Sequence, residues 1–406
     1  MKKYFVINCI TAFVCLIPMS LMIGAAVSEF FVSLTALLFL IYTIVYKDWL
    51  YYKKKIFIFL IIFFVYNVFN SLLSEFPTNS LRSSAFYFRF CLMFLAIWFL
   101  LDNNKNFSKY FLVSIAVPLV VAFSYSLVDI FNSVRFESMK ADYRISGLFG
   151  TELIQGSYFL RFLMLFLGVY TLVNSDFKNK FIYYAIFIIS VFMILVSGER
   201  ASIGLLFIFL FLFLFFSEIK ILDKTKIFFT IIFIVVLSVG YLPGLKNRVF
   251  DNTKSLIYEK GSIKIFSRGH QEHYASALKM FKKNIITGVG IRNFRLECRK
   301  DEYRYIGVNS CTTHPHNTYI QFLAETGIIG FLFIVSLLLY ISKFLMSNFL
   351  KVTKGKKICN SAVIFSIVIF INIFPLVPTG SFFNNWLSTV YFLPLAFFFY
   401  SLEKQK

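Results

Sequence analysis

Charge is scarce in this chain. Of its 406 residues, 15% are charged, against about a quarter in soluble globular proteins. Hydrophobic residues make up 59% and aromatic ones 20%. That composition excludes a soluble globule. Acidic residues are scarcer than basic ones, 20 against 41, and the formal charge is +21. A basic excess can mark a nucleic-acid binder, but here the charges are spread between apolar runs. They are read as orientation signals, and no nucleic acid is expected. There is no Walker-type phosphate loop and no Gly-rich dinucleotide turn after a strand. There is also no Asp-x-Asp pair to hold a divalent metal with a nucleotide sugar, and no internal repeat. Histidine occurs four times, always between His270 and His316. Acid–base chemistry near neutral pH is therefore confined to one stretch.

Apolar runs are abundant. Those of 18 or more residues are long enough to cross the hydrocarbon core as helices. Twelve spans are expected, at about 4–23, 29–46, 56–73, 84–101, 110–131, 153–173, 181–196, 201–217, 227–243, 317–342, 359–376 and 385–401. The first lacks a small-residue cleavage site and more spans follow it, so it is expected to be retained as a helix. The fold class is thus an all-α polytopic membrane protein, one integral domain over 1–406. A large loop, 244–316, leads into the tenth span.

With the N-terminus inside, the inside segments carry 20 lysines and no arginine, and the short outside segments carry Arg82, Arg135, Lys140, Arg144 and Arg200. The positive-inside rule then puts both termini in the cytoplasm and the 244–316 loop outside. All 12 arginines lie outside or within spans. A genome that favours lysine explains part of this bias. Arginine kept on one side still suits bidentate binding of phosphate or carboxylate there. The loop holds 14 basic and 6 acidic residues. Within it 271–283 has the period of an amphipathic helix, with Tyr274, Leu278 and Phe281 on one face. A turn at Gly288-Val289-Gly290 follows. Such a cationic, partly helical cap suits a ligand with a lipid tail and an anionic head.

His314-Pro315-His316-Asn317 stands where this loop enters the tenth span. Neutral imidazole suits a general base, and Pro315 restricts His314 to extended backbone. The bland alternative is two interfacial histidines beside Asn317 as a helix N-cap. A metal reading exists too, because His270 and His273 lie one helical turn apart and His314 with His316 would complete a set. No carboxylate or thiol spacing supports it, so neither a metal nor a cofactor is expected.

Among the arginines, Arg161 sits two turns into the sixth span, where an ionisable group is a functional candidate. Pairing with Glu199 or Glu152 is its structural alternative. Arg89 in the fourth span is a candidate substrate contact, or else pairs with a lipid headgroup or backbone carbonyls. Arg200, after Ser197-Gly198-Glu199, is a site candidate or an interfacial arginine reaching headgroups. Arg268, in the sequence SRGHQEHY, is on its own an ordinary loop charge. Cys9, Cys15 and Cys91 lie in apolar runs, and Cys359 opens a late span. Cys298 and Cys311 share the loop and form the one expected disulfide.

These residues together resemble the O-antigen ligase family, whose domain is shared with O-antigen polymerases. His316-Asn317 with Gly327 and Gly330 downstream is similar to the family's His-based pattern. Arg200 in GERAS and Arg268 on the loop stand where the family has two essential arginines. The number of spans and the loop after the ninth agree in layout. The resemblance implies an all-helical glycosyltransferase fold of the GT-C-like class in the bacterial inner membrane, acting on the periplasmic face. It implies an undecaprenyl-pyrophosphate-linked glycan donor and, in a ligase, a lipid A–core hydroxyl as acceptor. In a polymerase the acceptor is a second lipid-linked glycan. On this resemblance His316 is the base, Arg200 and Arg268 contact the pyrophosphate, and Arg161, His314, Asn317 and Arg89 are further substrate contacts. Direct attack implies an inverting transfer without metal. A non-enzymatic transporter of lipid-linked sugars is the rival from another class. It would keep its charged residues along a central path open to both sides, whereas here the unusual polar groups gather on the outer side.

Overall fold

A computed structural model of the chain describes residues 3–135, 144–173, 180–216, 220–259, 262–263, 266–304, 306–354, 356 and 358–404. Lys2, Lys140, Lys178, Lys357 and Lys406, counted above for orientation, lie outside the described residues, as does the side chain of Arg135. Among the described residues the fold is helical apart from a two-residue strand pair in which Tyr258 opposes Ile263. Each of the twelve expected stretches overlaps a helix. Among the described residues, seven helices are long and apolar enough to span a membrane. The helices Ile221–Tyr241 and Gly244–Ser255, bent by 107°, make an eighth if they count as one span. Phe181–Val196, Arg200–Phe216 and Asn360–Asn372 are shorter apolar helices.

The longer helices are α1 (Lys3–Ile23), α2 (Ala25–Tyr46), α3 (Lys55–Leu73), α4 (Pro77–Ser84), α5 (Phe88–Asn103), α6 (Phe107–Arg135) and α7 (Gln155–Val173). They continue with α8 (Lys180–Val196), α9 (Arg200–Phe216), α10 (Ile221–Tyr241), α11 (Arg268–Lys283), α12 (Thr318–Thr353), α13 (Asn360–Asn372) and α14 (Asn385–Lys404). Helices α5, α7, α13 and α14 are buried on nearly every face. They pack on one another as the centre of the bundle, as expected of helices apolar all round. The helices around them expose large apolar side chains such as Phe30, Val65, Phe211, Phe233 and Leu332, all more than half exposed. Water does not tolerate that much apolar surface, so these faces meet lipid.

Helix α12 decides how the loop meets the bundle. Asn317 caps its start, its side-chain oxygen accepting from the N–H groups of Tyr319 (3.0 Å) and Ile320 (3.1 Å). The helix then breaks at Gly327, whose φ of 61° and ψ of −165° are closed to residues with a Cβ. The break frees backbone groups that an intact helix would pair internally. The loop takes them up. Val289 N–H donates to the Ala324 carbonyl and Gly290 N–H to that of Glu325, each at 2.9 Å. Ile328 N–H donates to the Ile285 carbonyl at 2.8 Å. The Tyr66 hydroxyl donates to the Thr326 carbonyl and the Asn70 amide to that of Thr287, tying α3 into the same joint. The backbones approach so closely that a Cβ on Gly327 would lie 2.2 Å from the Ile286 carbonyl oxygen. One on Gly288 would lie 2.6 Å from that of Ala324.

The amphipathic loop helix is present as α11 but begins at Arg268, and its buried face differs from expectation. Tyr274, Ala277 and Met280 face inward with Ser276, while Leu278 is 38% exposed. Ala277 and Met280 join Ala324 of α12 in one buried cluster, which fixes the inward face of α11 against α12. Cys298 and Cys311 are joined by a disulfide with Cα atoms 4.9 Å apart. It closes the segment just before His314.

Gly327→Ala is expected to lower stability by at least about 1–3 kcal/mol from backbone strain alone, with the collision at Ile286 added. Gly240, inside α10 with nothing within 4 Å of a built Cβ, gives the contrast: Gly240→Ala should gain about 0.5–1 kcal/mol. Thermal unfolding of the purified protein in detergent checks both, and equal midpoints for the two variants would contradict the joint.

Candidate functional site

His316 is held in an unusual backbone state. Its φ is 57°, in the left-handed region that few residues with a side chain adopt. The segment between α13 and α14 fixes it there. Thr379 N–H donates to the His316 carbonyl at 2.9 Å. The Thr379 carbonyl lies 3.2 Å from His314 Nε2, and the Thr379 hydroxyl lies 3.0 Å from that of Thr318. The Asn317 amide donates to the Pro375 carbonyl at 2.8 Å. Asn317 is therefore consumed twice over in structure, as helix cap and as tether.

The fold gathers all four histidines. The ring centroid of His316 is 4.1 Å from that of His314, 5.3 Å from His273 and 5.6 Å from His270. His270 and His273 arrive on one face of α11, and His314 and His316 on the bent segment that leads into α12. His270 Nδ1 is 2.8 Å from the Ser267 hydroxyl, and the Nδ1 of His273 is buried without a partner among the described residues. These rings do not form a metal set: among the described residues no three His, Cys, Asp or Glu side chains are arranged to hold an ion.

His314 and His316 open into a cavity of about 540 Å³ that also exposes Arg161, Arg292, Arg295 and Glu199. Arg161 is buried and donates to the Asn372 side chain, with the Tyr391 ring 5.6 Å from its guanidinium carbon. Its hydrogen-bond partner is thus an amide of α13, not Glu199 or Glu152. Glu199 is instead bound at the start of α7, accepting from Gly156 N–H (2.7 Å), Ser157 N–H (3.2 Å) and the Ser202 hydroxyl (3.0 Å). A carboxylate at a helix N-terminus is well placed. Here it joins α7 to α9 and sets the position of Arg200.

A second cavity of about 490 Å³ adjoins the first along Glu199, Ala201 and Pro378. Arg200, Arg144, Arg248 and His270 line it. The sequence candidates are therefore split. His316, His314 and Arg161 share one cavity, and Arg200 is next door. Arg268 lines neither: its side chain is 73% exposed and bonds to Glu272 at 2.9 Å. Arg89 lies elsewhere, bonded to the Asn385 side chain. The residues that sequence reading left out are Arg292 and Arg295. Their signal was present in the arginine bias of the loop, and they follow the Gly288-Val289-Gly290 turn that docks on α12.

Burial dominates the electrostatics of the rings. It pushes the His316 pKa down to about 3, with the neighbouring histidines adding to the fall. It pushes His314 down to about 4, partly offset by the Thr379 carbonyl. His270 and His273 are lowered too, again mainly by burial. At neutral pH all four are uncharged beside several arginines. The arrangement offers a neutral imidazole with a free lone pair next to fixed positive charge.

Residues 185–335 match the model of the O-antigen ligase family. The chain carries an O-antigen ligase domain. That domain runs from α8 into α12 and holds Arg200, Arg268, Arg292, Arg295, His314 and His316. No curated protein matches the chain. Members of that family are ligases or polymerases, and the matched residues lie in a multi-pass membrane fold.

The depressed histidines have a stability consequence. Their folded pKa values lie below the ordinary 6.5, so the unfolded chain takes up protons first as pH falls. Their neutral burial is fully compatible with folding above about pH 6.5, and stability declines as pH drops from there towards about 3. The melting midpoint should fall over that window, and His314→Gln with His316→Gln should flatten the decline. An identical pH profile in the double variant would place the acid sensitivity elsewhere.

Proposed function

We propose that the protein transfers a glycan from a lipid-linked pyrophosphate donor to an acceptor hydroxyl, with His316 as general base. The observation that carries this reading is the neutral His316 ring opening into a cavity whose cations are Arg161, Arg292 and Arg295, inside an O-antigen ligase domain. The acceptor oxygen attacks the anomeric carbon and forms the new glycosidic bond. The bond from that carbon to the pyrophosphate oxygen breaks, and the pyrophosphate leaves with the electron pair. The hydroxyl proton passes to the His316 imidazole. One direct displacement inverts the anomeric configuration. Arginines stabilise the charge that develops on the leaving group.

Physical chemistry supports that division of labour. An imidazole with a pKa of about 3 is by itself a weak base. A bound pyrophosphate brings negative charge that favours the imidazolium and raises the pKa towards the working pH. The base thus strengthens when donor is present. Arg200 reaches the donor from the adjoining cavity. Arg268 is retained as a donor contact on the family resemblance, and it acts only after exchanging its bond to Glu272. The donor is read as an undecaprenyl-pyrophosphate-linked glycan and the acceptor as a lipid A–core hydroxyl, on the periplasmic face of the inner membrane. Purified protein given donor with either lipid A–core or a second donor molecule decides the class. Elongated lipid A–core is expected; elongation of the second donor would make the protein a polymerase.

His316→Ala should slow transfer by about 10²–10⁴-fold while the protein inserts and binds donor normally, and His314→Ala should cost less. Rates measured at matched expression test this, and a His316→Ala rate equal to wild type would remove His316 from the chemistry. Arg200→Lys keeps charge but loses the planar fork. It should cost about 10-fold or more in transfer, the worth of one charge-assisted contact. Full activity in Arg200→Lys would end the bidentate assignment.

A further inference from the structure

A third cavity, of about 410 Å³, lies between α2, the α4–α5 corner and the loop. We propose that it binds the anionic phosphate headgroup of a membrane lipid, with the acyl chains lying along α2. It shares Arg292 with the His316 cavity and none of the histidines.

The polar end is built from Arg82, Arg89 and Arg292 against the single carboxylate of Glu29. Two of the three cations are held in place. Arg89 donates to the Asn385 side chain and the Phe86 carbonyl, each at 2.8 Å, and lies 3.6 Å from Glu29. Arg292 donates to the Ser83 hydroxyl at 3.2 Å. Arg82 is exposed and has no ion pair among the described residues. Three arginines facing one acid leave an excess of positive charge, which suits a phosphate.

The remainder of the cavity is apolar, and it has a direction. Glu29, Ser33, Ala36, Leu37 and Leu40 recur at helical spacing along one face of α2. From Glu29 to Leu40 that face runs about 16 Å down the helix axis. It begins at the charged end and becomes purely aliphatic, and Leu92 of α5 closes the other side. Leu37 is 52% exposed and Phe86 61%, so the slot is open to lipid along its length. A free phosphate would use only the arginines. An amphiphile uses both ends, and its buried chain adds affinity that a free anion lacks. The charge-to-aliphatic gradient is what favours the lipid as the source of the phosphate.

The test is binding to the purified full-length protein, measured by thermophoresis with dioctanoyl phosphatidic acid as probe. Dioctanoyl phosphatidylcholine and inorganic phosphate serve as competitors. The probe should bind, with both competitors at least about 10-fold weaker. Arg82→Gln removes one charge-assisted contact and should weaken the probe about 10-fold. Ser33→Trp fills the slot without changing charge and should weaken it similarly. Arg89 is left intact because it joins α5 to the start of α14. His316→Ala should bind the probe as wild type does. Unchanged binding in both Arg82→Gln and Ser33→Trp would overturn the site. Inorganic phosphate competing as well as the lipid would overturn the lipid assignment. Loss of binding in His316→Ala would move the ligand to the histidine cavity. Because binding is read without transfer, a failure here is separate from a failure of the catalytic reading.

Discussion

The breach in α12 at Gly327 is the constraint on which the arrangement depends. A membrane helix that breaks must find partners for its freed backbone groups. Here the partners are Ile285, Val289 and Gly290 of the loop, bonded to Ile328, Ala324 and Glu325. The joint fastens the end of α11 to the start of α12. His270 and His273 are thereby carried against His316, more than forty positions further along the chain. Neither glycine at the contact admits a Cβ, since carbonyl oxygens occupy that space on both sides. Buried polar groups reinforce it. Glu325 accepts from the Gln321 amide at 2.9 Å, and Gln321 in turn meets Ser381 and Phe382 N–H. One short polar chain therefore links the helix, the loop and the segment that carries Thr379.

The site sets neutral rings among fixed cations. Four histidines within contact of one another would repel strongly if protonated. Burial keeps them neutral, and the arginines nearby add to that preference for His314 and His270. Arginine remains charged under conditions that neutralise imidazole. Arg161, Arg292 and Arg295 line the cavity with these rings, and on the proposed reading a bound anion would raise the basicity of His316. Glu199 and Glu152 offset part of this charge, and Glu199 is held at the start of α7 by two backbone N–H groups and a hydroxyl.

Much of the fold was legible in the chain. The apolar runs correspond to helices because hydrocarbon thickness imposes a length that few other structures need. Asn317 was readable as a cap, and Cys298 and Cys311 as partners, from local position. Other features were not readable. The inward face of α11 is set by packing of Ala277 and Met280 against Ala324 of α12, although hydrophobicity alone ranks Ala277 below Leu278. The partner of Arg161 is Asn372, an amide far along the chain. Nothing in the local sequence of either residue marks the other.

By itself, then, the sequence determined the all-helical membrane class, the concentration of histidine in one stretch and the absence of arginine from the segments that carry the 20 lysines. These are consequences of composition and of periodicity within single segments. The tertiary structure alone decided which cations stand with His316. It chose Arg161, Arg292 and Arg295, put Arg200 in the adjoining cavity and left Arg268 outside on Glu272. The physical reason is that convergence of side chains depends on how helices cross and where a backbone breaks. Those are set by packing between distant segments, and no local pattern encodes them.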